Sequence, residues 1–252
     1  MKRIVLVGLV ALTAVTLFAG GKQEAADGPR TLVVATDATW PPMEYINTDQ
    51  EIVGFDIDFM NAVADAAGFN VEFQNTAWDG IFAGLANGDY DAVISSVTIT
   101  DERKRTMDFS TPYINAGQVL IVRKDAPASW TTLDDLAGKS VGAQIGTTGS
   151  IEIQNNKGTE LRTYDEIGLA IEDLAQGRIA GVVADTPIAA DFVLQNENYK
   201  ATLKIVGEPF TDEYYGVAVK KGNSDVLALI NKGLEVVLND GTVEEIQDKW
   251  LR

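Results

Sequence analysis

Two residues of opposite charge, Arg103 and Asp185, stand beside two similar stretches of this chain, and together they can hold a carboxylate and an ammonium at once. A guanidinium fork paired with a carboxylate is the chemistry of gripping a small zwitterion. Hydroxyls at Ser95, Ser96 and Thr98 lie just ahead of Arg103. The first stretch runs from Ile81 to Ser96 (IFAGLANGDYDAVISS) and the second from Gly168 to Asp185 (GLAIEDLAQGRIAGVVAD), with Leu85 and Gly88 answering Leu174 and Gly177. In each, apolar residues at helical spacing lead to a glycine stop and a short Val/Ile/Ala run, which reads as helix, C-terminal glycine and buried strand. That is half of a βαβ unit.

The elements that must position these residues follow from the flanking patterns. Thr31 to Asp37 (TLVVATD) reads as a buried strand, Trp40-Pro41-Pro42 forbids helix, and Gly54 to Gly68 is an amphipathic helix with Phe55, Phe59, Ala62, Val63 and Ala66 on its apolar face. A strand at Asn70 to Asn75 completes a β-α-β-α-β lobe over Thr31 to Ser110. A second lobe begins with a strand at Gln118 to Arg123 and continues through Leu133 to Leu136, a strand at Ser140 to Ala143 and the glycine-rich Ile145 to Ser150, which leads into a helix at about Ile151. Unpaired amides and the dipole at that helix start favour an anion. A strand at Tyr215 to Val219 and helices at Asp225 to Leu238 and Val243 to Trp250 return to the first lobe. The expected fold is therefore α/β with two lobes, residues 31–113 plus 215–252 and residues 117–211, with a hinge near 113–117 and 211–215. Ligands in such sheets lie beyond the carboxyl ends of the strands.

Composition narrows the function. The chain has 252 residues, 46% hydrophobic and 23% charged, enough for a full core in one or two domains. With no cysteine and no histidine, it has no disulfides, thiolate metal sites, cysteine nucleophiles or histidine-based triads. A net charge of −17 disfavours binding to a phosphate backbone, so no nucleic-acid partner is expected. Lys2 and Arg3, the apolar run Ile4 to Phe18 and the small residues Ala19, Gly20 and Gly21 have the layout of a secretory signal peptide over 1–21, followed by a linker over 22–30. The apolar run is short of the roughly 20 residues a spanning helix needs. Leu17 to Gly21 resembles a lipoprotein cleavage box with Gly21 where the lipidated cysteine would stand, so the expected location is periplasmic or extracellular without a lipid anchor.

The stretches TLVVATDATWPPMEY, IVGFDIDFMNAVA, VTITDERKRTMDFSTPY, SVGAQIGTTGS and VVADTP, in this order, resemble the extracellular solute-binding proteins, family 3, of polar amino acid ABC transporters. The similarity covers the chain from about Thr31 onward, and VTITDERK with DFSTPY carries most of its specificity. It implies a type II periplasmic-binding fold that closes on its ligand, and delivery of a polar L-amino acid to ABC permease subunits by a monomer without cofactor or metal. By position, Arg103 would clamp the α-carboxylate with help from Thr98 and backbone N–H groups near Thr147 and Thr148. Asp185, with Ser96, would take the α-ammonium. Trp40 and Trp78 would sandwich the side chain, and Asp37 would reach its far end. An acid there suits arginine or lysine, although it also accepts from the amide of glutamine. The surroundings of Gln144 and the paired Ser95 and Ser96 lean toward arginine or another basic amino acid, with glutamine as the first alternative and other polar or sulfur amino acids after it.

Plainer readings compete at each position. DERKR alone is a solvated helix start, Asp185 before Thr186-Pro187 a helix N-cap, Trp40 and Trp78 core cover, and Thr147 to Gly149 a helix-entry turn. Asp56 and Asp58 read as helix-surface acids, and Trp130 and Trp250 as packing. Two other functions fit the same fold. A sensory receptor module would report the ligand to a separate signalling partner. A dehydratase-like enzyme would require a buried acid of raised pKa in the cleft, and the sequence motivates no second carboxylate pair.

Overall fold

The computed structural model describes residues 28–252, so the expected leader and most of the linker lie outside the described residues. Two five-stranded sheets organise the chain. In the first, the strand order is Asn70–Asn75, Thr31–Thr36, Ala92–Val93, Ala218–Lys220 and Met107–Phe109, with the first three parallel and the last two joined antiparallel. In the second, the order is Glu160–Tyr164, Ser140–Gln144, Gly181–Asp185, Gln118–Arg123 and Leu203–Val206, again with three parallel strands followed by antiparallel neighbours. The two stretches of matching sequence therefore occupy matching places, each ending in the central strand of its sheet.

The helices form where the apolar spacing predicts. Helix α1 (Phe55–Ala67) buries Phe55, Phe59 and Val63, each worth roughly 1.5–3 kcal/mol in removed apolar surface, and ends at the left-handed Gly68. Helix α2 (Trp78–Asn87) ends at left-handed Gly88, and the helices of the second sheet are α3 (Thr148–Asn155), α4 (Ile167–Ala175) and the short α5 (Thr186–Ala190). Helices α6 (Ser224–Val237) and α7 (Thr242–Trp250) return to pack on α1. The α1–α6 crossing is so close that a Cβ on Gly233 would lie 2.1 Å from the Val63 carbonyl oxygen.

Three sequence expectations are corrected. Helix α3 starts at Thr148, three residues before Ile151, because the Thr147 hydroxyl caps it by accepting from the Ser150 N–H at 3.2 Å. The strand read over Tyr215 to Val219 is two strands, since Tyr214–Tyr215 pairs with Ile114–Asn115 in a ribbon between the sheets, while Ala218–Lys220 joins the first sheet. Asp56 is wholly buried, whereas Asp58 takes the surface role and accepts from Lys249 at 2.6 Å and the Trp250 indole at 2.7 Å. Among the described residues, no helix is long and apolar enough to cross a membrane.

Candidate functional site

A pocket lies between the carboxyl ends of the parallel strands of both sheets. From the first lobe it is lined by Asp37, Trp40, Trp78, Ser95, Ser96, Thr98 and Arg103, and from the second by Gln144, Thr147, Thr148 and Asp185. All eleven residues singled out in the sequence thus line one pocket. The lobes already touch across it: Gln144 Nε2 donates to Asp37 Oδ2 at 2.9 Å and Arg103 Nη2 to the Gly146 carbonyl at 3.3 Å.

Arg103 is not on a solvated helix. DERKR forms one tight turn, Arg103–Arg105, and the Arg103 side chain folds back to donate from Nη1 to the Thr98 carbonyl at 2.9 Å. Its guanidinium lies 5.4 Å from the Trp78 ring centre and 5.1 Å from that of Phe82, within cation–π range. The cation on the Trp78 ring is therefore the protein's own. Burial draws the Arg103 pKa down, opposed by the charges of Asp185 and Glu213, and the group stays protonated. Beside it, Thr148 and Gly149 are the first residues of α3, whose N–H groups have no partner within the helix.

Asp185 precedes α5, yet its side chain makes no capping bond. Instead Oδ1 accepts from Gln118 Nε2. Burial pushes the Asp185 carboxyl up to about 7, against the pull of Tyr215, Gln118 and Arg103. Asp37 is also raised by burial, while Gln144 and Thr39 hold it down through hydrogen bonds. Trp40 is buried with its indole N–H unpartnered.

Two polar residues at the site escaped the sequence reading. Glu213 sits on the second crossing between lobes, and its Oε2 accepts from Thr98 of one lobe at 2.9 Å and Thr148 of the other at 2.6 Å. Gln118, at the start of a strand, touches Thr148 as well as Asp185. Neither had a local signal: Glu213 is one of 37 acids, and Gln118 reads as the polar edge of QVLIVR.

The sequence profile of the bacterial extracellular solute-binding proteins, family 3, matches residues 32–252. The chain is 36% identical over 97% of its length to the L-cystine-binding protein TcyJ of Escherichia coli K12, covering 91% of that protein. It is 35% identical to ABC transporter arginine-binding protein 1 of the same strain, with 99% of each chain covered. Among solved structures, an ancestral arginine-binding protein bound to arginine superposes with a TM-score of 0.82 at 43% identity, over 88% of this chain and 98% of that one. Profile, full-length relatives and two-lobed architecture agree, and the chain belongs to the bacterial extracellular solute-binding proteins, family 3.

Proposed function

We propose that this protein captures a basic L-amino acid, arginine foremost, in the cavity between its lobes, and presents it outside the cytoplasm to an ABC permease. The observation that carries this reading is the charge of the cavity wall. Arg103 is its single cationic side chain among the described residues, facing the acids Asp37 and Asp185, with Glu213 hydrogen-bonded to Thr98 and Thr148 of the wall. One cation matches one carboxylate; the surplus of acid matches a ligand with two cationic ends. L-Cystine, which carries a second carboxylate, would leave that group without a guanidinium. Glutamine is zwitterionic and would leave Asp37 to accept from an amide.

In this reading Arg103, Thr98 and the start of α3 take the α-carboxylate, Asp185 and Ser96 the α-ammonium, and Asp37 the distal cation. Contacts from both lobes make the ligand favour the closed state, and closure is what a permease would recognise. The Asp185 carboxyl at about 7 also meets the requirement set for a general acid. A buried acid waiting for an ammonium is raised for the same reason, and the similar proteins named above are binding proteins.

The test is a thermal-shift panel of the twenty L-amino acids, ornithine and L-cystine on protein unfolded and refolded to strip copurified ligand. A ligand at a thousandfold over its Kd adds about 4 kcal/mol of stability. Shifts confined to arginine, lysine and ornithine support the proposal. A shift only with glutamine or cystine replaces the ligand, and turnover of any bound ligand replaces the function class.

A further inference from the structure

Behind the cavity wall, two carboxyl groups face one another, with no cation beside them among the described residues. Glu44, on the short strand Glu44–Ile46, and Asp56, in the first turn of α1, are both wholly buried. Gly54 makes the approach possible. Its φ is +139°, a Cβ there would fall 2.2 Å from the Met43 carbonyl oxygen, and that same carbonyl accepts the Asp56 N–H at 2.9 Å. The Ser95 hydroxyl donates to Glu44 Oε1 at 2.8 Å, while Asp56 accepts from the Ser96 N–H at 2.7 Å and from the Tyr113 hydroxyl. Glu44 Oε2 is buried and receives no donor. The two side chains lie within hydrogen-bonding reach of each other. A buried carboxylate oxygen with no donor beside a second carboxylate is costly; a proton on it removes one charge and supplies a donor for Asp56.

The pair acts directly on the cavity wall. With its proton given to Glu44, the Ser95 oxygen accepts the Asp37 N–H at 3.0 Å and so fixes the backbone of that acid. Ser96 has φ +49°, a left-handed conformation that non-glycine residues seldom adopt, and Asp56 holds its N–H there. The Ser96 hydroxyl, buried and unpartnered, is thereby left at the cavity wall.

We propose that Glu44 and Asp56 share a single proton, and that this pair is the positioning element that holds Ser95 and Ser96 for the ammonium end of the ligand. The second half rests on the ligand reading above; the first does not. The titratable groups facing the pair are Asp37 on the loop after the first strand, Tyr113 on the first crossing and Tyr215 on the second; among the described residues no lysine or arginine acts on it. Burial and the Asp56 charge hold Glu44 well above the usual carboxylate range. The native state thus binds more protons than the unfolded chain, and its stability falls as pH rises from about 5.

The experiment compares Glu44→Gln, which keeps a donor as N–H, with Glu44→Met, which removes it. In ligand-free protein at pH 8, infrared spectroscopy should show the carbonyl stretch of a buried carboxylic acid, absent from Glu44→Gln. Stability measured against pH should decline with a slope steeper in the parent than in Glu44→Gln, by up to one proton, a tenfold change per pH unit in the unfolding constant. L-Arginine affinity should stay within about threefold in Glu44→Gln and fall about tenfold or more in Glu44→Met. No acid band and equal pH slopes would overturn the shared proton. Equal weakening by Gln and Met would overturn the positioning role. If the band and slope behave as expected while no form binds L-arginine, the ligand reading fails and the shared proton stands.

Discussion

Gln144 of the second lobe donates to Asp37 of the first across the cleft, at 2.9 Å, and the same amide nitrogen also donates to the Asp165 carbonyl at 2.8 Å. The acid assigned to the far end of the ligand is therefore also a tie between lobes. Its other oxygen accepts from the Thr39 hydroxyl at 2.9 Å, so both oxygens are oriented before any ligand arrives. A carboxylate has about four acceptor sites, so capacity remains for a guanidinium.

Asp37→Asn should separate the basic ligands from the neutral ones. Removing one partner of a desolvated charge pair costs roughly 2–5 kcal/mol, so arginine affinity should fall by at least a factor of ten in calorimetry, with glutamine affinity changed far less. Equal losses for both ligands would remove Asp37 as counter-ion and leave it as a lobe tie.

Arg103→Ala should abolish amino acid binding with the fold intact, again a loss of roughly 2–5 kcal/mol. Arg103→Lys should recover little of it, because a point charge cannot reproduce the guanidinium fork. Circular dichroism checks folding and calorimetry checks binding; unchanged affinity would sink the site.

The raised Asp185 carboxyl sets a pH dependence. An ammonium partner favours the ionised acid, so binding below about 7 must release a proton and affinity should rise with pH until it levels above about 7. Stability of the ligand-free protein runs the other way. The folded acid titrates at about 7 against an ordinary 3.8, so the native state holds the extra proton and loses stability as pH rises between those values. Asp185→Asn should flatten the affinity profile and make the stability profile less steep, the remaining slope coming from Glu44 and Asp56, and calorimetry in buffers of different ionisation enthalpy would count the proton. Affinity independent of pH between 5.5 and 8 would contradict the assignment.

Gly233→Ala should destabilise the first lobe without touching the cavity. A Cβ 2.1 Å from the Val63 carbonyl forces α6 off α1, an overpacking cost of about 1–3 kcal/mol. Thermal unfolding should fall by several degrees while the affinity of folded protein is kept.

Much of this protein was legible along the chain because the signals are local. Helix α1 between Gly54 and Gly68, the stops at Gly88 and Gly177, and the strands at Thr31–Thr36 and Gln118–Arg123 follow from spacing and glycine conformation, which depend on neighbours a few residues away. The resemblance of VTITDERK and VVADTP named Arg103 and Asp185 before any geometry. Tertiary structure alone decided the rest. Glu213 joins Thr98 to Thr148 over sequence separations of 115 and 65 residues, and Asp56 reaches Ser96 over 40. In the sequence Asp56 and Asp58 look like equal members of one helix turn, yet one is sealed behind the cavity and the other lies beside Lys249. Burial is a property of what packs on a residue from elsewhere in the chain, and with it come the desolvation and partners that decide whether an acid is a charge, a donor or a ligand contact.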